Sequence, residues 1–143
     1  MSTSAPPIYD PVVNDDGKAN LSWILYFNSL FEGDTGKTWM PTFVSLGSVG
    51  TPTITGRYYR FNGHKLCYFH VIITPATSTT STAATTYIDN FPLTVSGDGI
   101  CFAVSGGSGS LSGHIVAANN RIFVPAWTAV TVPVHVVGMC EVI

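Results

Sequence analysis

Four histidines, His64, His70, His114 and His135, are the side chains of this sequence best suited to hold a metal or move a proton. A metal site needs several donors brought together, and no two of these histidines stand at ligand spacing along the chain. His64 follows the Asn62-Gly63 pair and is expected to be exposed. His70 and His135 interrupt apolar runs and read as satisfied core or interface histidines. In a homotrimer, a single histidine could also meet its two copies on the axis. Acids are as scarce: after Asp34 only Asp89, Asp98 and Glu141 remain. Asp89 precedes Asn90 and Asp98 lies between two glycines, so both have turn roles that need no chemistry. A serine or cysteine nucleophile needs a positioned base, and no such pairing is visible.

The other sources of chemistry are equally thin. Ser105-Gly106-Gly107-Ser108-Gly109-Ser110 is glycine-rich, but no lysine follows it and no helix offers its N-terminus to a phosphate. Cys67, Cys101 and Cys140 are an odd count without close spacing and are expected to be reduced, buried thiols. Tyr58, Tyr59, Tyr87, Trp39 and Trp127 could stack on a sugar, with Tyr58 and Tyr87 the candidate exposed aromatics, and a core or interface role explains all five equally well. No catalytic, cofactor-binding or metal-binding residue is assigned, and the expectation is a protein that is not an enzyme.

The elements that would position such residues are mostly strands. The chain has 143 residues, enough for one domain with a sizeable core. Charged residues make up 10% of it and hydrophobic residues 45%, against about 25% charged in a typical soluble domain. The net charge is -2 and no basic run exists, so a nucleic-acid partner has little electrostatic support. No apolar run approaches the roughly 18 residues of a membrane-spanning helix. Residues 1–10 lack a positive start and an apolar stretch, so no secretory signal is expected and synthesis in a cytoplasm fits.

Residues 1–35 read as an N-terminal segment for attachment and oligomerisation: a proline-containing arm, then a short helix over Asn20–Phe31. Apolar side chains surround the helix and need cover on every side, either across the open end of the chain's own sandwich or against copies or a neighbouring protein, and Leu21, Trp23, Ile24, Phe27, Leu30 and Phe31 are the candidate oligomer or anchor interface. Residues 36–143 read as an all-β domain, an antiparallel, jelly-roll-like β-sandwich. Strands are expected near 40–45, 53–61, 65–74, 86–95, 99–104, 113–118, 121–124 and 132–142. Asn62-Gly63 and Asn119-Asn120 are expected as tight type I′ hairpin turns. Thr74–Thr86 reads as a mobile surface loop, and Ser105–Gly113 as a flexible connection or a place where backbones approach closely. In the 65–74 strand Cys67, Phe69, Val71 and Ile73 share one face while Leu66, Tyr68, His70 and Ile72 share the other, so both faces need cover. From Gly99 to Cys140 the only formal charge is Arg121, the clearest mark of a buried subunit interface.

Two segments carry a resemblance. Pro11–Phe31, with its Trp-Ile-Leu-Tyr-Phe-Asn-Ser-Leu-Phe helix, resembles the N-terminal segment of small virion proteins of tailed bacteriophages. Thr55-Gly56-Arg57-Tyr58-Tyr59-Arg60 through Asn62-Gly63 to Cys67-Tyr68-Phe69-His70-Val71 looks like a strand pair in trimeric β-sandwich tips of phage fibres. The resemblance implies a homotrimeric virion component, made in the bacterial cytoplasm: a head fibre, a decoration protein or a tail appendage. Other virion proteins of the capsid or tail would be its partners, with a host-surface glycan as a further candidate contact. No cofactor, nucleic acid or membrane insertion is expected. The rival readings are a free-standing carbohydrate-binding module and, third, a small hydrolase with a composite site between subunits.

Overall fold

The computed structural model describes Pro11, Ser22 and residues 36–61, 65–105 and 108–143. The expected Asn20–Phe31 helix and the Asn62-Gly63 turn therefore lie outside the described residues, as do Leu21, Trp23, Ile24, Phe27, Leu30 and Phe31. The described part is all-β and antiparallel. Its strands are β1 (Lys37–Trp39), β2 (Phe43–Val44), β3 (Gly47–Val49), β4 (Thr53–Arg60), β5 (Leu66–Thr74), β6 (Ser78–Ser81), β7 (Tyr87–Ile88), β8 (Val95–Ser105), β9 (Ser108–Val116), β10 (Arg121–Phe123), β11 (Trp127–Val130) and β12 (Val134–Val142). Nine of them form one sheet in the order β1-β4-β5-β12-β8-β9-β10-β7-β2, and β11-β6-β3 form a second.

The large sheet curls, and its connectivity requires it to. Its two edge strands, β1 and β2, are joined only by Met40, Pro41 and Thr42. A flat nine-stranded sheet would hold its edges about 38 Å apart, whereas the link from Trp39 to Phe43 reaches at most about 14 Å. The edges must therefore swing towards each other. Asn90 fastens the link: its Oδ1 accepts from the Thr42 amide at 2.7 Å and its Nδ2 donates to the Met40 carbonyl at 2.8 Å. The Asp89 amide donates to the Thr42 carbonyl at 3.1 Å.

The curl encloses the core. β5 sends Cys67, Phe69, Val71 and Ile73 inward, β12 sends Val134, Val136, Cys140 and Val142, and β8 sends Val95, Cys101 and Ala103. Trp39, Tyr58, Phe69 and Phe91 meet edge to face, with centroids 5.5 to 6.2 Å apart. Trp39 can lie across β4 because position 56 is glycine: a Cβ there would stand 2.7 Å from the indole. All three cysteines are buried thiols. Burial pushes the Cys101 and Cys140 thiols up to about 12, with Cys67 adding to the shift at Cys140.

Three expectations about turns and loops are corrected. The Thr74–Thr86 stretch contains β6, the centre of the small sheet, and buries Thr79, Ser81 and Thr86. Threonine suits a pleated surface, and each buried hydroxyl finds a partner. The Trp127 indole donates to Thr79 Oγ1 at 3.3 Å, Ser81 Oγ donates to the Pro125 carbonyl at 2.6 Å, and Thr86 Oγ1 donates to the Ser45 carbonyl at 2.9 Å. The β9–β10 hairpin does form, but not through a two-residue type I′ turn. A 3-10 turn over Ala117–Asn119 precedes Asn120, which takes the left-handed conformation at φ 55°. Asn120 Oδ1 then accepts from the Val95 amide at 2.7 Å, tying this hairpin to the start of β8. The Ser105–Gly113 connection is shorter than expected, because β9 already begins at Ser108.

Candidate functional site

The side of the large sheet turned away from the core is the feature that simple packing does not explain. On a half-buried antiparallel sheet the outward residues are normally polar. Here one row across the sheet pairs Tyr59 with Tyr68, Met139, Ile100, His114 and Phe123 in succession. The next row runs Arg57, His70, Val137, Phe102 and Ser112, and the one beyond it Thr55, Ile72, His135 and Val104. Ile100 remains 55% exposed, Met139 48%, and Phe102 and Val104 38% each. The apolar residues concentrate on β5, β12 and β8. Arg57, on β4, borders the patch, and Glu141 lies at the far end of β12.

His70 and His135 sit inside this face. The register sets His70 opposite Val137, so His135, two residues back along β12, is its diagonal neighbour on the same face. The imidazoles meet, with His70 Nε2 3.0 Å from His135 Nδ1, centroids 5.2 Å apart and planes 25° from parallel. In the neutral pair one ring donates and the other accepts. Burial first, and the neighbouring His135 second, push the His70 imidazole below its ordinary value, which favours the neutral ring. Sequence spacing could not reveal this pair, because it joins residues 65 positions apart. The available signal was that each histidine occupies the outward phase of its strand.

Beside His70 a groove of about 720 Å³ runs along β1 and β4, lined by Thr38, Trp39, Thr55, Arg57, Tyr59 and Ile72 among others. The two tyrosines singled out as exposed aromatics do not fill that role equally. Tyr58 is corrected: it is 8% exposed and points into the core against Trp39 and Phe91. Adjacent strand residues face opposite ways, so Tyr59 is the outward ring of the two. Tyr87 is half-buried, and the Arg121 guanidinium lies over its ring, 4.4 Å from the centroid. Arg121 also pairs with Asp89 at 3.3 Å. His114 stacks on Phe123 with centroids 4.9 Å apart. Among the described residues no group of three or more His, Cys, Asp or Glu converges as a metal site. No protein-family model, curated protein or solved structure matches the chain.

Proposed function

We propose that this chain is a non-enzymatic structural module that works by association, assembling as a homotrimer and attaching to a larger particle. The observation that carries this reading is the outward apolar face of β5, β12 and β8. Leaving such a face in water is unfavourable, and contiguous exposed apolar surface marks a contact site. Burial against copies or a neighbouring protein stabilises by about 25 cal/mol per Å², before association costs are subtracted. On this reading 36–143 form a jelly-roll-like sandwich domain and 1–35 the attachment segment. The resemblance of Pro11–Phe31 and of the β4–β5 pair to tailed-phage proteins supplies the identity of the particle: a virion, with the chain as head fibre, decoration protein or tail appendage. The test is the native mass by sedimentation at micromolar concentration. Three times the chain mass is expected, and a monomer that also fails to bind particles would overturn the reading. An image of particles carrying the chain would then fix its position.

The groove supports a second reading, a carbohydrate-binding module. It combines Trp39 and Tyr59 with the polar groups of Thr38, Thr55 and Arg57, the mixture of ring and hydrogen-bonding groups that sugars engage. A glycan array read with wild type and Tyr59→Ala separates the two. Glycan binding lost in the variant, by a protein that stays monomeric, favours this second reading.

A further inference from the structure

We propose that His70 and His135 form a two-imidazole site for a divalent transition-metal ion of the copper, nickel or zinc class. The fold makes the site. β5 and β12 are paired over eight register positions, from Val134↔Ile73 to Glu141↔Leu66, so two histidines distant in sequence are held on adjacent, well-paired strands. Both are partly exposed and face away from the core.

The spacing of the nitrogens suits a metal. An imidazole nitrogen binds such ions at about 2.0–2.1 Å. Two nitrogens in neighbouring positions at a right angle are then about 2.9 Å apart, and about 3.3 Å apart in a tetrahedron. His70 Nε2 and His135 Nδ1 stand 3.0 Å apart. The ion would replace the shared hydrogen bond, leaving His70 Nδ1 and His135 Nε2 to carry the ring protons. Neutral rings are required, because a protonated imidazole nitrogen has no lone pair to give a metal.

The surroundings select the class of ion. β4 presents Arg57 opposite His70, β12 presents Val137, and β8 presents Val104 opposite His135. The nearest acid on these strands, Glu141, pairs with Leu66, four residues along β5 from His70, and is about 14 Å from that ring's position. Calcium and magnesium need oxygen ligands and find none from carboxylates here. Ions that accept neutral nitrogen, with copper(II) binding most tightly in the general order, are favoured. Arg57 opposes any cation and sets a limit on affinity. Water completes the coordination on the outer side of the site, which is open wherever association does not cover this part of the face.

The experiment is titration of the full chain with nickel(II) by calorimetry and with copper(II) by electron paramagnetic resonance. Wild type should bind one ion per chain, and the copper spectrum should carry splittings from two imidazole nitrogens. His70→Gln and His135→Gln should each weaken binding at least about tenfold, as loss of half the protein ligands requires. His114→Gln, remote from the pair on β9, should leave it unchanged. Calcium should give no heat. Equal affinity in wild type and His70→Gln, or a copper spectrum without two-nitrogen splitting, would overturn the assignment. The wild-type spectrum decides the matter even if one variant folds poorly.

Discussion

Replacing Ile100 with Glu and Met139 with Lys tests the association face directly. The two residues are register partners across β8 and β12, and both point outward. Roughly half of each side chain is already in water, 55% for Ile100 and 48% for Met139. Fully burying a side chain of this kind is worth about 1.5–3 kcal/mol, so covering the remaining half contributes about 1 kcal/mol for each. The double variant removes about 2 kcal/mol of that per protomer. It also places a carboxylate and an ammonium where the contact would take them out of water. Opposite charges directly across a strand pair suit each other in the free monomer, so the fold should lose little. Burying the same pair in an interface carries a desolvation penalty of a few kcal/mol.

The sum is about 4 kcal/mol per protomer, close to a thousandfold in dissociation constant. Sedimentation equilibrium over a hundredfold concentration range reads this as a change from oligomer to monomer. Circular dichroism and thermal melting confirm that the variant keeps its strands. If it keeps the wild-type mass and dissociation constant while folded, the outward face is not the contact. The exposed apolar rows would then need another cause.

Three further outcomes follow from the same geometry. A polar thiol reagent should label native Cys101 and Cys140 at least a thousandfold more slowly than unfolded chain at pH 8, because thiols held at about 12 are almost wholly protonated there; mass spectrometry of timed aliquots checks this, and rapid labelling refutes it. Because these folded-state values lie above the ordinary 9.0, the unfolded chain releases those protons first, so their stabilising contribution is complete below about pH 9 and declines as pH rises towards 12; the urea midpoint should fall over that window, and less so in Cys101→Ala compared with its own value at pH 8. Gly138→Ala should destabilise by about 1–3 kcal/mol, since the added Cβ would stand 2.5 Å from the buried Phe69 ring and 2.8 Å from the Ile100 carbonyl; an unchanged melting midpoint would refute that packing.

Much of the strand pattern was legible because alternation is a local property. β4, β5, β10 and β12 fall within one or two residues of the spans read from the sequence, and the inward set Cys67, Phe69, Val71 and Ile73 is the buried set. The losses have physical causes. β6 went unread because Ser and Thr score as loop residues by polarity, although their hydroxyls can be satisfied inside a sheet. Tyr58 reads as outward in the sequence because two tyrosines in succession carry no phase of their own; the glycine at position 56 and the partly buried Trp39 set it. β1 and β2 are too short for any period to show, and yet their three-residue link decides the curl of the whole sheet. The His70–His135 contact depends on which strands are neighbours, which is a property of the topology.

Where alternation fails is more informative than where it holds. β4 alternates in the ordinary way, with Thr53, Thr55 and Arg57 outward, and β9 places Ser112 outward. β5, β8 and β12 do not: each carries large apolar residues on both faces. These strands span 66–74, 95–105 and 134–142, so three separate stretches of sequence break the rule independently. Chance departures would scatter over the sheet. The topology instead makes the three strands consecutive, in the order β5-β12-β8, and collects their outward apolar residues into one patch around the His70–His135 pair. A strand covered on both faces is the signature of a sheet packed on both sides. The core covers one side; association, on the reading proposed above, covers the other.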